Sequence, residues 1–277
     1  MKLHFSNQIL EFSQPCIMGI LNATPDSFSD GGLFINKEKA LSHVEKMIND
    51  GAQIIDVGGE STRPGASDVS VDEECQRVIP LINTIREISD IPISIDTSKT
   101  EVMQQAILAG ASMINDVNAL QADGAVALVA ELNVPVCIMH MQGKPRTMQH
   151  TPVYENVVTE VKEFLQQRIE TCIDAGINKQ NIVIDPGFGF GKTLEHNLLL
   201  FKHLNEFTEL EVPLLVGVSR KSMIGAVLND APADKRLHGS VALATLAAWM
   251  DTNILRVHDV KATSDALKLC MAVKNID

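Results

Sequence analysis

The chain has 277 residues, of which 45% are hydrophobic and 21% charged, and its formal net charge at pH 7 is -12. A chain of this length and composition can bury one large core, and no linker or repeat divides it, so we predict a single domain over residues 1–277. The negative charge disfavours nucleic acid and acidic membrane surfaces, because both carry negative charge themselves. A small-molecule partner is therefore favoured.

The sequence shows no sign of secretion or membrane insertion. Polar residues interrupt the first 14 residues, which lack the apolar run of a signal peptide. No apolar stretch reaches the ~18 residues that a membrane-spanning helix needs. The five cysteines are dispersed and include no CxxC pair, as is typical of reduced thiols. We therefore expect a cytoplasmic protein.

In chain order, the pattern predicts a hairpin at residues 3–12 and then alternating strands and helices. Eight short apolar segments have the character of buried strands: 16–21, 54–57, 91–95, 113–117, 134–139, 182–184, 214–218 and 254–257. Helical spacing separates them, for example at Ala40, Val44 and Met47, and glycines such as Gly51 follow the helical segments. Eight such units in about 250 residues is typical of a (β/α)8 TIM barrel. We expect the N-terminal hairpin, within residues 1–14, to close its bottom.

Polar side chains occur at the end of each predicted strand, where barrel enzymes build their sites. They are Asn22, Asp56, Asp96, Asn115, Asp116, His140, Asp185, Lys221, Arg256 and His258. Arg256 and His258 are two apart in one strand, so they share a face and both could reach one anion. The strand ends also precede the longest irregular segments, 24–36, 60–71 and 141–154. These features predict one polar site at the barrel mouth.

Structural roles remain open for some of these residues. Asp96 precedes a Thr-Ser pair and could cap the next helix. Asp56 could equally make structural hydrogen bonds, and His140 fits a supporting or loop position as well as a ligand contact. Asp185, which precedes a glycine-rich turn, is the strongest functional candidate by position.

The glycine-rich segment PGFGFGKT occupies residues 186–193. A phosphate loop, GxxxxGK[ST], would need glycine where Pro186 stands, and the alternating glycines do not match GxGxxG. We instead expect sharp turns that present Phe188 and Phe190 as an aromatic wall beside Asp185. Such a wall suits a flat heterocycle.

The donors and acceptors of the predicted site match a pterin. Asp96 and Asp185 can accept N–H groups from an amino-pyrimidinone edge, and Asn115 offers both a donor and an acceptor. Lys221 could donate to the ring carbonyl. Because a helix is predicted to begin beside it, backbone N–H groups at Ser222 could bind a carboxylate.

At these residues the chain resembles the dihydropteroate synthase family of pterin-binding barrel enzymes, in its bacterial type. The resemblance rests on IMGILNATPDSFSDGG (17–32), GAQIIDVGGESTRPG (51–65), IDT (95–97), IND (114–116), DPGFGFGK (185–192), GVSRKS (217–222) and RVHD (256–259). It spans nearly the whole chain. It implies a folate-biosynthesis enzyme that condenses 6-hydroxymethyl-7,8-dihydropterin pyrophosphate with para-aminobenzoate to give 7,8-dihydropteroate and pyrophosphate, and that sulfonamides inhibit.

The resemblance also implies a role for each matching residue. The pterin would be bound by Asp96, Asn115, Val117, Met139, Asp185, Phe190 and Lys221. The para-aminobenzoate site would be formed by Phe28, Thr62, Pro64, Phe190, Lys221 and Ser222. Pyrophosphate would be held by Asn22, Arg63, Arg256 and His258, with Mg2+ bridging it to Asn22 and Asp30. Catalytic roles would fall to Asn22, Asp96, Lys221, Arg256 and His258. A homodimer is implied as well, through apolar helices such as the one expected at 241–250.

The implied reaction favours an SN1-like path. Loss of pyrophosphate would leave a carbocation that the pterin ring delocalises, while Arg256, His258 and Mg2+ stabilise the departing charge. The arylamine is neutral at pH 7, so no strong base is required.

Three other functions remain open on the sequence alone. A methyltetrahydrofolate-dependent methyltransferase domain shares the barrel and the Asp/Asn pterin site, but it has no need of Arg63, Pro64 or the pair Arg256 and His258. A Schiff-base aldolase would use Lys221, although that residue follows its strand and has neighbours suited to anions. An inactive pterin-binding protein is the third possibility, and product formation would distinguish it.

Overall fold

The computed structural model describes residues 1–5, 8–23, 33–61, 68–143, 148 and 152–276. Five predicted site residues lie outside these ranges: Phe28, Asp30, Thr62, Arg63 and Pro64. Their predicted roles stay predictions.

A hairpin and a parallel barrel form the framework of the described residues. Strands β1 (Lys2–His4) and β2 (Ile9–Glu11) pair antiparallel. The eight parallel strands are β3 (Cys16–Asn22), β4 (Ile54–Gly58), β5 (Ile93–Asp96), β6 (Met113–Asp116), β7 (Val136–Met139), β8 (Ile182–Asp185), β9 (Leu215–Val216) and β10 (Ile254–Val257). Their order is β8-β7-β6-β5-β4-β3-β10-β9, and a parallel bridge from Ile184 to Leu214 closes the ring. The predicted (β/α)8 barrel is confirmed.

Helices follow the barrel strands and cover their outer faces. They are α1 (Leu33–Asp50), α2 (Val71–Arg86), α3 (Thr100–Leu108), α4 (Ala125–Leu132), α5 (Val157–Asp174), α6 (Leu194–Lys202), α7 (Ser222–Val227), α8 (Leu237–Trp249) and α9 (Val260–Lys274). Short 3-10 turns occur at Lys179–Asn181, Leu204–Leu210 and Ala233–Lys235. None of these helices combines the length and apolar character needed to cross a membrane.

Prolines explain where two of the strands begin. Strands were predicted to start at residues 91 and 134, but β5 and β7 start at Ile93 and Val136, just after Pro92 and Pro135. Proline has no N–H to donate to the ladder. The carbonyls of these two prolines still accept, from the N–H groups of Ile55 and Ile114 respectively.

The hairpin closes the N-terminal end of the barrel, as predicted. Leu3 and Phe5 are buried in one apolar cluster with side chains from the barrel strands. The strand residues of this cluster are Cys16, Met18, Ile54, Met113, Cys137, Val183, Leu215 and Ile254. Since these lie at or near the strand starts, the opposite end of the barrel remains for the site.

Replacing Leu3 with alanine is expected to destabilise the protein by about 2–5 kcal/mol, because it leaves a cavity in this cluster. Leu3 is fully buried, whereas Ile9 in the paired strand is 55% exposed. Ile9→Ala is the matched control and should cost less than about 0.5 kcal/mol. Urea unfolding measures both. Equal losses would show that the hairpin does not contribute through burial.

Candidate active site at the barrel mouth

An ionic cluster crosses the mouth of the barrel. Arg256 of β10 places Nε 2.6 Å from Asp56 Oδ2 of β4 and Nη2 2.5 Å from Asp96 Oδ2 of β5. Burial favours the neutral form of Arg256, but Asp56 and Asp96 outweigh that effect and raise its pKa. Burial raises the pKa of Asp96 to about 7, against the opposing charge of Arg256. Asp96 therefore does not cap a helix, and α3 begins after Lys99.

Asp56 joins two predicted binding residues. Besides Arg256, it faces Asn115 of β6, whose Nδ2 lies 3.4 and 3.5 Å from the two Asp56 oxygens. Asp56 is fully buried. The sequence predicted Asp56 at the mouth and left a structural role open. In the structure its carboxylate contacts both the guanidinium of Arg256 and the side-chain amide of Asn115. Its inward position on β4, set by strand alternation, was the available signal.

Asp116 turns away from the site that it was predicted to share with Asn115. It accepts from the N–H groups of Asn118 and Leu120 at 2.8 and 2.7 Å and from the Ser98 hydroxyl. Neighbouring residues of a strand point to opposite faces, so only one of the pair can face the barrel interior. Asp116 stabilises the turn after β6.

Asp185 and Lys221 lie on the other side of the mouth. Asp185, at the end of β8, accepts from Gly187 N at 2.7 Å. Burial raises its pKa, and the charge of Lys221 opposes this shift. Lys221 precedes α7, donates to the Phe188 carbonyl and places Nζ 4.4 Å from the centre of the Phe190 ring. Burial lowers the pKa of Lys221 to about 8.

The glycine-rich loop makes the predicted turns, but only one of its aromatic residues faces the mouth. Phe190 joins an apolar cluster with Met139, Met148 and the partly buried Val117. Phe188 is fully buried in the outer core, 5.8 Å from the ring of Phe201. The expected wall of two rings is wrong, because the chain turns at Gly189, whose φ is 80°, and the two rings pack into different clusters.

The remaining predicted residues lie at the ends of their strands. Asn22 ends β3, where it is aligned with Gly58. His258 follows β10, and its Nδ1 lies 3.0 Å from the hydroxyl of Ser219, a contact that sequence reasoning missed. Ser222 begins α7 and is exposed. His140 is buried behind the glycine-rich loop, which favours the supporting role over a ligand contact.

The described residues contain no group of three or more His, Cys, Asp or Glu side chains placed to hold a metal ion. Carboxylates, an amide, two cations and an aromatic ring instead converge at the C-terminal end of a parallel barrel. In such barrels this end is the active site, so the fold and the site define a barrel enzyme acting on a small polar heterocycle.

Comparison with known proteins agrees with this class. The family model described as pterin binding enzyme matches residues 18–258. The dihydropteroate synthase of Haemophilus influenzae is 54% identical over 275 residues, covering 99% of this chain and 100% of the relative. That of Escherichia coli K12 is 52% identical over 272 residues, covering 98% and 96%.

Solved structures give the same result. A Yersinia pestis dihydropteroate synthase in a sulfonamide drug complex has a TM-score of 0.94 and 48% identity, covering 100% of both chains. The Xanthomonas albilineans enzyme with 4-aminobenzoic acid has a TM-score of 0.94 and 47% identity, covering 100% of this chain and 99% of the other. The chain therefore belongs to the pterin binding enzymes, and within them to the dihydropteroate synthase family.

Proposed function

We propose that the chain condenses 6-hydroxymethyl-7,8-dihydropterin pyrophosphate with para-aminobenzoate, giving 7,8-dihydropteroate and pyrophosphate, and is thus a transferase of folate biosynthesis. The observation that carries this function is the 54% identity to a dihydropteroate synthase over 99% of the chain. The relatives also favour it over a methyltransferase domain. Since the Yersinia pestis relative was solved with a sulfonamide, we extend sulfonamide binding to this chain.

The pterin is proposed to bind between the ionic cluster around Arg256 on one side of the mouth and Asp185 with Lys221 on the other. Asp185 accepts N–H groups from the amino-pyrimidinone edge, Asn115 reads a mixed edge, and Phe190 covers the ring. Asp96 engages Arg256 through Oδ2, so Oδ1 is the oxygen that we assign to the pterin. Met139, Val117 and Lys221 complete the pocket.

The charges of the mouth suit an SN1-like reaction. The bond between the exocyclic methylene and pyrophosphate breaks, and both electrons leave with pyrophosphate, which Arg256 and His258 stabilise. The electron-rich pterin ring delocalises the carbocation that remains, and the fixed cations of the mouth act strongly on the departing charge because the site is dry. The arylamine nitrogen then forms the new C–N bond and loses its proton to water.

We further propose that Mg2+ binds with the pyrophosphate. Magnesium usually keeps several waters and is held by one or two protein oxygens plus substrate phosphates. Asn22 offers such an oxygen at the mouth, and the proposed second ligand, Asp30, lies outside the described residues. The ion would neutralise charge on the leaving group. Loss of turnover with EDTA and recovery with Mg2+ would test this.

The proposed function is tested by measuring pyrophosphate release from the pterin pyrophosphate with Mg2+, with and without para-aminobenzoate, while detecting dihydropteroate. We expect release that depends on the arylamine and matches product formation. Tight pterin binding without product would instead favour the binding-protein or methyltransferase alternatives.

The affinity for para-aminobenzoate is expected to weaken as pH rises through about 8. Lys221 also belongs to the para-aminobenzoate site, and we propose that its cation attracts the substrate carboxylate. Lys221 is cationic below its lowered pKa of about 8 and neutral above it, so this attraction disappears in that window. Loss of one charge-assisted hydrogen bond should raise KM about 10-fold. KM is measured from pH 6.5 to 9.5 at saturating pterin substrate. Lys221→Arg should remove the rise, and an unchanged rise in this variant would contradict the assignment.

A homodimer is proposed to form through α8 and α9. The two helices lie side by side, with Lys274 Nζ 2.8 Å from the Trp249 carbonyl. Both carry exposed apolar side chains: Leu246, Trp249, Leu269 and Val273. Trp249→Asp should therefore reduce the mass in sedimentation towards the 30.2 kDa of one chain. Leu108→Asp, on the exposed surface of α3, is the control and should leave the mass unchanged. A wild-type monomer would refute the proposal.

A cytoplasmic location is also proposed. All five cysteines lie in the described residues and are free thiols. Free thiols are typical of a reducing compartment.

A further inference from the structure

Lys192 is a deeply buried lysine with no part in the reaction proposed above. It ends the glycine-rich loop and is 3% exposed, and no other lysine or arginine of the described residues is buried to this degree. Burial of an ammonium is unfavourable unless its hydrogen bonds are made. Burial accordingly lowers the pKa of Lys192 well below its usual value, although Asp185 opposes the shift. Such a residue needs a structural or functional reason.

The partners of Lys192 Nζ are backbone carbonyls and one imidazole. Nζ lies 2.8 Å from the Gly187 carbonyl, 3.0 Å from the Phe190 carbonyl and 2.9 Å from His140 Nδ1. A longer contact of 3.3 Å reaches the His140 carbonyl. Burial lowers the pKa of His140 to about 2, so its ring is neutral and Nδ1 accepts the hydrogen bond. Lys192 thus joins the loop to the end of β7.

Three glycines allow the loop to adopt its conformation. Gly187, Gly189 and Gly191 have φ of 71°, 80° and 61°, the left-handed region that glycine adopts without strain. A side chain at Gly187 would collide with the His140 carbonyl, and one at Gly191 with the Gln142 carbonyl. The loop therefore lies directly against the segment after β7, and Lys192 contacts both.

Two proposed substrate contacts depend on the atoms that Lys192 holds. The Gly187 carbonyl accepts a hydrogen bond from Lys192 Nζ, and the Gly187 N–H donates to Asp185 Oδ1. The Phe190 carbonyl also accepts a hydrogen bond from Lys192 Nζ, and the Phe190 ring faces Lys221 at the mouth. A shift of the loop backbone would therefore move the carboxylate contact and the aromatic ring together.

We propose that Lys192 is a positioning residue, whose Nζ holds the glycine-rich loop from inside and so places Phe190 and Asp185 for the flat ring of the substrate. This inference rests on the proposed function. Lys192 itself does not contact the substrate. Because Phe190 and Asp185 bind the ring of the substrate, loss of Lys192 should weaken substrate binding more than it slows the chemical step.

The test compares Lys192→Met, Lys192→Gln and the matched control Lys202→Met, which removes an exposed lysine from α6. The first readout is hydrogen exchange of the ligand-free protein over residues 186–192. The second is KM for the pterin pyrophosphate, with kcat corrected for the folded fraction. We expect Lys192→Met to speed exchange in this segment and to raise KM about 10- to 100-fold, because small misplacements are costly. Lys192→Gln keeps two N–H donors and should lie between Lys192→Met and wild type.

Unchanged exchange in Lys192→Met, or an unchanged KM with unaltered kcat per folded molecule, would overturn the positioning role. If Lys192→Met does not fold, Lys192→Gln decides on the same two readouts. A wild-type protein that forms no dihydropteroate would refute the proposed function, and hydrogen exchange would still test whether Lys192 holds the loop.

Discussion

Replacing Arg256 with methionine is expected to lower kcat by about 100- to 1000-fold, the usual effect of removing a group that stabilises developing charge. The substitution removes the cation that we assign to the departing pyrophosphate. It also leaves Asp56 and Asp96 as neighbouring buried carboxylates without their common partner. Steady-state kinetics with both substrates, measured as product formed per folded molecule, checks the effect.

Arg220→Met is the control for this substitution. Arg220 is paired with Asp259 at 2.6 Å, is more exposed than Arg256 and has no assigned role in the site. Breaking the buried pairs of Arg256 should also cost about 3–5 kcal/mol of stability, so urea unfolding must accompany the kinetics. Arg256→Lys keeps a cation and separates charge from geometry. Turnover at the wild-type rate in Arg256→Met would remove this residue from the leaving-group site.

Asp185→Asn is expected to reduce kcat/KM by about 1000-fold, since a site built on hydrogen bonds tolerates an unmatched group poorly. The N–H groups of the pterin edge, which are proposed to donate to the Asp185 carboxylate, would then face the NH2 group of the amide, which is itself a donor. The amide oxygen would be needed for the Gly187 N–H, which donates to Asp185 at 2.7 Å, and this directs the NH2 group towards the substrate. Calorimetric titration with the pterin pyrophosphate and steady-state kinetics measure the loss.

Asp116→Asn makes the same chemical change at another buried carboxylate at the end of a barrel strand, but one that faces away from the site. It should lower stability through the turn that Asp116 holds and leave kcat/KM per folded molecule near wild type. Equal losses of kcat/KM in the two variants would show that the effect is general to buried carboxylates and would contradict the pterin contact.

Local patterns were enough to predict the barrel, because eight apolar segments alternate with helical spacing. These patterns were less reliable in predicting which way a side chain points. Asn115 and Asp116 were both placed at the mouth, although adjacent strand residues face opposite sides. Phe188 was treated like Phe190, although Gly189 between them has a φ of 80° and turns the chain. Prolines at positions 92 and 135 could have corrected two strand starts, since proline cannot donate to a ladder.

The part of the site that escaped sequence reasoning depends on long-range contact. Asp56 and Arg256 are 200 positions apart, and no local pattern reveals that they share a hydrogen bond. The contacts of Lys192 with His140, 52 positions away, were hidden in the same way. Residue type and strand position indicated which side chains reach the mouth, and only the closed barrel shows which of them bind one another.

The closure of the barrel also constrains how the chain can fold during synthesis. Cys16 of β3 pairs with Ile254 of β10, and Leu3 is buried in the same cluster as Ile254. Contacts between such distant positions form late, because the loop between them must be closed first. Strand β3 therefore has to wait until β10, which is synthesised much later, has left the ribosome. We expect the N-terminal apolar strands to be exposed to chaperones or to aggregation until β10 is released.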